Sequence, residues 1–114
     1  DEEVIYPRVG LDAAQLLLGK NLKEIAMANN DSEDDGHLYD LMAVSIHHGS
    51  AGYGHYVAVA RHVINGDWHR YDDSSVSPIP SSQSQQSDAY VLVYQRRSVS
   101  RQVAQELSLG SVHF

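Results

Sequence analysis

From Tyr39 to Ile46 the pattern takes a period of two: Tyr39, Leu41, Ala43 and Ser45 point one way, Asp40, Met42, Val44 and Ile46 the other. That period of two predicts a β-strand with at least one apolar face. The run His47-His48-Gly49-Ser50-Ala51-Gly52-Tyr53-Gly54, with its three glycines, predicts a loop. His55 to Arg61 then resumes in strand register with β-branched and aromatic residues. Asn65-Gly66 is a hairpin signal, and Trp68-His69-Arg70-Tyr71 reads as the return strand. Ser74 to Ser87 holds half of the chain's serines together with Pro78 and Pro80, so it predicts a loop without a packing pattern, with a short strand at Val76 at most. Ala89 to Tyr94 is nearly all apolar or aromatic, as in a central strand covered on both faces.

The ends are weaker. Val4-Ile5-Tyr6-Pro7 suits an edge strand or extended arm closed by proline. Asp12 is placed to cap a short helix over Ala13 to Leu18 that Gly19 stops, and Leu22, Ile25 and Ala26 recur at helical spacing in a second. Residues 29–36 are too polar and self-repelling to pack and predict a solvated acidic loop, about 29–37. Val99, Val103, Ala104 and Leu107 predict a last helix that ends before Gly110. The fold class is α+β with β dominant: an antiparallel sheet of four or five strands with weak helices at both ends. So short a chain buries a small core, and the sheet is expected to need another piece of protein to cover it.

Composition sharpens this. The 114 residues carry 15 acidic and 8 basic side chains, a net charge of -7, and no cysteine. Disulfide scaffolds and zinc-thiolate modules are excluded, and whatever the chain does it cannot itself supply a thiolate. No apolar run approaches the roughly 20 residues of a membrane span, and no signal-peptide pattern opens the chain. The acidic balance argues against a nucleic-acid partner. It is also localised: residues 1–40 hold 10 acids and 3 bases, whereas residues 41–114 hold 5 of each.

Candidate chemistry centres on the seven histidines. Taken singly, His37, His62, His69 and His113 read as surface or hydrogen-bonded residues. His47, His48 and His55 do not form a recognised ligand spacing, and neither a metal nor another cofactor is expected. His55 and Asp72 differ because they lie on the two arms of one hairpin, and an imidazole held by a carboxylate is a general-base unit. A strict two-residue turn at Asn65-Gly66 would set them four residues out of register, roughly 13 Å apart. They meet only if the connection is wider, with His62 to Asp67 mostly loop, or if a bulge shifts the ladder.

The blocks Tyr39-x-Leu41-x-Ala43-Val44-x-x-His47-x-Gly49, Gly54-His55-Tyr56, Trp68-x-x-Tyr71-Asp72-Asp73-Ser74-x-Val76 and Ala89-Tyr90-Val91-Leu92-Val93-Tyr94-Gln95-Arg96 occur in that order. Together they resemble the histidine-box end of the ubiquitin-specific protease family of deubiquitinases, which are papain-like cysteine proteases. The resemblance implies that residues 1–97 are the C-terminal part of such a catalytic domain, in its palm subdomain, with 98–114 a helix or tail. It implies catalytic roles for His55 and Asp72, a second acidic position at Asp73, and substrate-channel positions at Gly52, Gly54 and Tyr56. Trp68, Tyr90 and Tyr94 are implied to pack, and His48 departs from the aromatic usual there. The implied activity is thiol-dependent hydrolysis of the isopeptide or peptide bond after ubiquitin's C-terminal glycine, in the cytoplasm or nucleus. The implied partners are ubiquitin, ubiquitinated proteins and a complementary thumb segment that carries the cysteine; this chain alone should be inactive. Two rivals stand beside it: an inactive ubiquitin-binding scaffold of the same fold, and an unrelated β-rich adaptor.

Overall fold

A computed structural model describes residues 6–28, 37–50 and 53–108. The acidic run 29–36, Gly52, His113 and the first half of the predicted N-terminal arm lie outside them. In chain order the elements are β1 (Leu11–Asp12), α1 (Ala13–Leu17), α2 (Leu22–Ala28), β2 (Leu38–Ser50), β3 (Tyr53–Arg61), β4 (Trp68–Asp72), β5 (Ser75–Ile79), a 3-10 turn (Ser81–Ser84), β6 (Ala89–Arg96) and α3 (Arg97–Ser108).

The helices are short, and local contacts fix their ends. The Asp12 carboxylate accepts from the Ala14 N–H at 3.0 Å and caps α1, and Gly19, at φ 88, terminates it. Asn21 plays the same capping part for α2, accepting from the Glu24 N–H at 2.9 Å.

One antiparallel sheet forms the body. β3, β4 and β5 follow β2 in order, β6 pairs with the other edge of β2, and β1 pairs with the first residues of β2. Three expectations are corrected. The predicted glycine loop is mostly ladder: β2 and β3 stay paired through His48↔His55, Gly49↔Gly54 and Ser50↔Tyr53. The alternation of β2 breaks at Met42, where a register shift against β6 lets Leu41, Val44 and Ile46 all turn inward. β6 is not a central strand; among the described residues it pairs with β2 alone, and Tyr90, Val91 and Val93 on it are exposed.

Leu41, Val44, Ile46, Val57, Val59 and Trp68 make one buried face, with Leu22, Ile79, Leu92 and Tyr94 packed against it. Tyr6 crosses that face. Its hydroxyl donates to the Ser84 carbonyl and accepts from the Gln86 N–H at 2.8 Å, while Gln85 Nε2 donates to its carbonyl at 2.6 Å. The serine-rich segment, predicted to have no packing pattern, thus contains a fully buried serine and closes one side of the core. Burial raises the pKa of both the Tyr6 and Tyr94 hydroxyls, so both remain neutral donors; Tyr94 donates to the Pro7 carbonyl at 2.6 Å.

Candidate functional site

The register of β3 against β4 decides whether the two candidate residues meet. The ladder pairs Arg61↔Trp68, Ala60↔His69, Val59↔Arg70 and Ala58↔Tyr71. His62 to Asp67 form the connection, closed by a 2.8 Å bond from the His62 N–H to the Asp67 carbonyl. The tight Asn65-Gly66 turn is therefore replaced by the wider loop. Continuing the ladder by one pair sets Asp72 opposite Val57, two residues from His55 on the same face. Such diagonal neighbours lie about 7–8 Å apart at the backbone, within reach of an imidazole and a carboxylate. His55 Nε2 and Asp72 Oδ1 are 2.6 Å apart.

The pair sits where the buried face gives way to solvent. Val57 and Val59 follow His55 along that face and are buried, whereas the His55 side chain is half-exposed. Arg70, on the same face of β4, brings Nη1 to 3.4 Å from Asp72 Oδ2, so that carboxylate is held on both oxygens. With Nε2–H donated to Asp72, the His55 tautomer presents the lone pair of Nδ1 to an incoming proton donor. Such an arrangement can accept a proton and stabilise the resulting imidazolium.

Asp73 occupies the two-residue turn between β4 and β5, where Asp72 pairs with Ser75. Its φ of 52 is the left-handed conformation that aspartate tolerates better than most residues. Donor atoms of His55, Asp72 and Asp73 all lie within 4.8 Å of one another. One imidazole and two carboxylates are a chemically reasonable cation donor set.

Gly54 and Tyr56 flank His55 on β3, and the Tyr56 side chain projects from the opposite face, beside His47 and Tyr90, with ring centroids 4.7 and 6.0 Å away. Tyr56 is therefore not brought to the His55–Asp72 pair, and with Tyr90 it is exposed rather than part of the packed core. A Cβ at Gly54 would lie 2.2 Å from His47 Nε2. The imidazole of His47 thus fills the space that any other residue at 54 would need.

The sequence reading missed a second pair. His48 is the cross-strand partner of His55, and its Nδ1 lies 2.9 Å from Asp88 Oδ2. Carrying the strand alternation through the glycines would have placed His48 beside His55.

A family profile described as ubiquitin carboxyl-terminal hydrolase matches residues 1–94. Ubiquitin carboxyl-terminal hydrolase 2 of Bos taurus is 45% identical over 78 residues, 68% of this chain and 13% of that protein. Ubiquitin carboxyl-terminal hydrolase 4 of Mus musculus is 48% identical over 75 residues, 66% of this chain and 8% of that protein. The chain thus spans only a small fraction of the relatives it matches. A solved structure of the yeast SAGA DUB module with a mutant Sgf73 aligns with a TM-score of 0.50 and 33% identity, covering 53% of this chain and 14% of that one. With the profile matching most of its length, the chain belongs to the ubiquitin carboxyl-terminal hydrolase family.

Proposed function

We propose that this chain is the histidine-bearing palm segment of a thiol-dependent deubiquitinase whose cysteine lies in sequence outside these 114 residues. The observation that carries the reading is the 2.6 Å contact between His55 Nε2 and Asp72 Oδ1, which leaves Nδ1 as the base.

In the first step Nδ1 of His55 takes the thiol proton, and the thiolate attacks the carbonyl carbon of ubiquitin's terminal glycine. The tetrahedral intermediate collapses as the imidazolium returns that proton to the departing lysine amine, leaving a thioester. Water, deprotonated by the same nitrogen, then attacks the thioester; ubiquitin leaves with a free carboxylate and the thiolate regains its proton. Asp72 holds the tautomer and stabilises the imidazolium, and Arg70 holds Asp72. Asp73 is a second acidic group beside the reacting centre. Backbone at Gly54 borders the path of ubiquitin's diglycine tail, and the resemblance implies the same part for Gly52; Tyr56 supports that path from the reverse side of β3. The partners are ubiquitin, its conjugates and the thumb segment, and the setting is cytoplasmic or nuclear.

The lack of any cysteine in the chain favours a second reading, a ubiquitin-binding scaffold of the same fold. One experiment separates them. In the complete protein, His55→Ala should keep ubiquitin binding and lower hydrolysis of a ubiquitin C-terminal amide by about 10³-fold or more. Hydrolysis unchanged by His55→Ala would remove the proposed base, and a wild-type protein that binds without hydrolysing would establish the scaffold.

A further inference from the structure

At the opposite end of the sheet from His55 and Asp72, a cleft of about 670 Å³ opens between the end of β3, the start of β4, the first turns of α3 and the segment before β1. Arg61, on its wall, is six residues along β3 from His55, roughly 20 Å by strand rise. Its volume lies within the range of about 300–1,000 Å³ common for small-ligand sites.

The charge of this cleft is opposite to that of the chain. Four of the six arginines, Arg8, Arg61, Arg97 and Arg101, line it against a single carboxylate, Asp40, in a protein of net charge -7. Asp40 is already committed. Arg97 donates to both of its oxygens at 3.0 and 2.8 Å, and the Gly10 N–H donates at 2.9 Å. Burial pushes the Asp40 pKa up, but those donors and the charges of Arg97 and Arg61 outweigh it and hold the carboxyl below its ordinary value.

Arg61 is the anomaly. Its Nη2 donates to the thioether sulfur of Met42 at 2.9 Å, a weak acceptor for a strong donor. Its Nε is buried with no hydrogen-bond partner, the one such side-chain nitrogen or oxygen among the described residues. Buried donors are nearly always paired, and displacing the weak thioether acceptor would free the Nε–Nη2 edge of the guanidinium, two parallel N–H groups that suit a planar or tetrahedral oxyanion. Trp68, Leu41 and Ile64 give the same cleft an apolar wall.

We propose that the cleft binds an oxyanion, phosphoryl or carboxylate, gripped by Arg61 and Arg8, with the body that carries it lying against Trp68 and Ile64. The site is independent of the hydrolytic reading, because no residue of it takes part in the proposed proton transfers.

The test uses the complete protein, titrated calorimetrically with inorganic phosphate and separately with succinate at constant ionic strength set by chloride. Saturable binding of either anion is expected, and the anion preferred identifies the group recognised. Arg61→Gln and Arg8→Gln should each weaken it at least fivefold, with Arg61→Lys restoring only part because an ammonium lacks the fork. Arg96→Gln, whose guanidinium sits over the Tyr39 ring outside the cleft, should change it less than twofold. His55→Ala should leave it unaltered. If Arg61→Gln does not fold, the exposed Arg8 decides the matter alone. No saturation with either anion, or equal losses for Arg96→Gln and Arg8→Gln, would overturn the proposal.

Discussion

The two faces of the sheet come from alternate residues of the same strands. On one, Val44, Ile46, Val57, Val59 and Trp68 are at most 3% exposed, and the row continues into His55 and Asp72. On the other, Ala43, Ser45, Ala58 and Ala60 form a shallow half-buried floor edged by Tyr56, Tyr71, Val91 and Val93, each more than 40% exposed. The difference teaches what holds the His55–Asp72 contact in place. Packing restricts rotamers, so a histidine–carboxylate pair at the rim of the buried face inherits a fixed geometry that the open face does not supply. A floor of small residues with an aromatic and β-branched edge leaves this face without a covering layer among the described residues.

The contrast can be broken by mutation, with stability read from denaturant unfolding of the complete protein. Trp68→Ala should cost most, about 3–5 kcal/mol, because it empties the centre of the buried face. Asp40→Asn comes next at roughly 1–3 kcal/mol, through loss of the bidentate hold on Arg97 that ties α3 to the sheet. The pH dependence of that term has a definite sign. Asp40 titrates lower when folded than when unfolded, so its contribution is complete above the ordinary carboxylate value of about 4 and is lost as pH falls through the folded value. The Asn variant should therefore show a flatter acid limb. Gly54→Ala should cost about 1 kcal/mol, at the low end of overpacking, because the His47 ring that it displaces can swing out over the open face. Tyr71→Ser on the open face should change stability by less than about 0.5 kcal/mol. A loss for Tyr71→Ser approaching that of Trp68→Ala would mean that both faces are packed and would erase the distinction.

Local signals in the sequence carried well. The Asp12 cap, the helical spacing of Leu22, Ile25 and Ala26, and the strands holding His55 and Trp68 follow from propensity and period alone, and each has its counterpart in the structure. What escaped depends on neighbours that one strand cannot announce. Gly49 and Gly54 read as punctuation, yet they pair with each other across β2 and β3. The apolar run from Ala89 to Tyr94 reports hydrophobicity but not that the strand pairs with β2 alone. Ser84 looks polar and is buried because Tyr6, far away in sequence, needs its carbonyl. The same limit applied to the candidate site: the residue types pointed to His55 and Asp72, but only the width of the loop from His62 to Asp67 decided whether they touch. The arginine cleft left no trace in the sequence because its four positive charges come from three distant parts of the chain: the segment before β1, the end of β3 and the first turns of α3.

That register carries a consequence for quality control. Trp68 and Asp72 lie four residues apart on the same face of β4, so a slip of the ladder by one residue would carry the carboxylate away from His55 and expel the indole into water in the same movement. A misregistered molecule is thus an unstable one. Loss of the His55–Asp72 contact by slippage is coupled to a loss of stability, so a folded population without that contact does not accumulate.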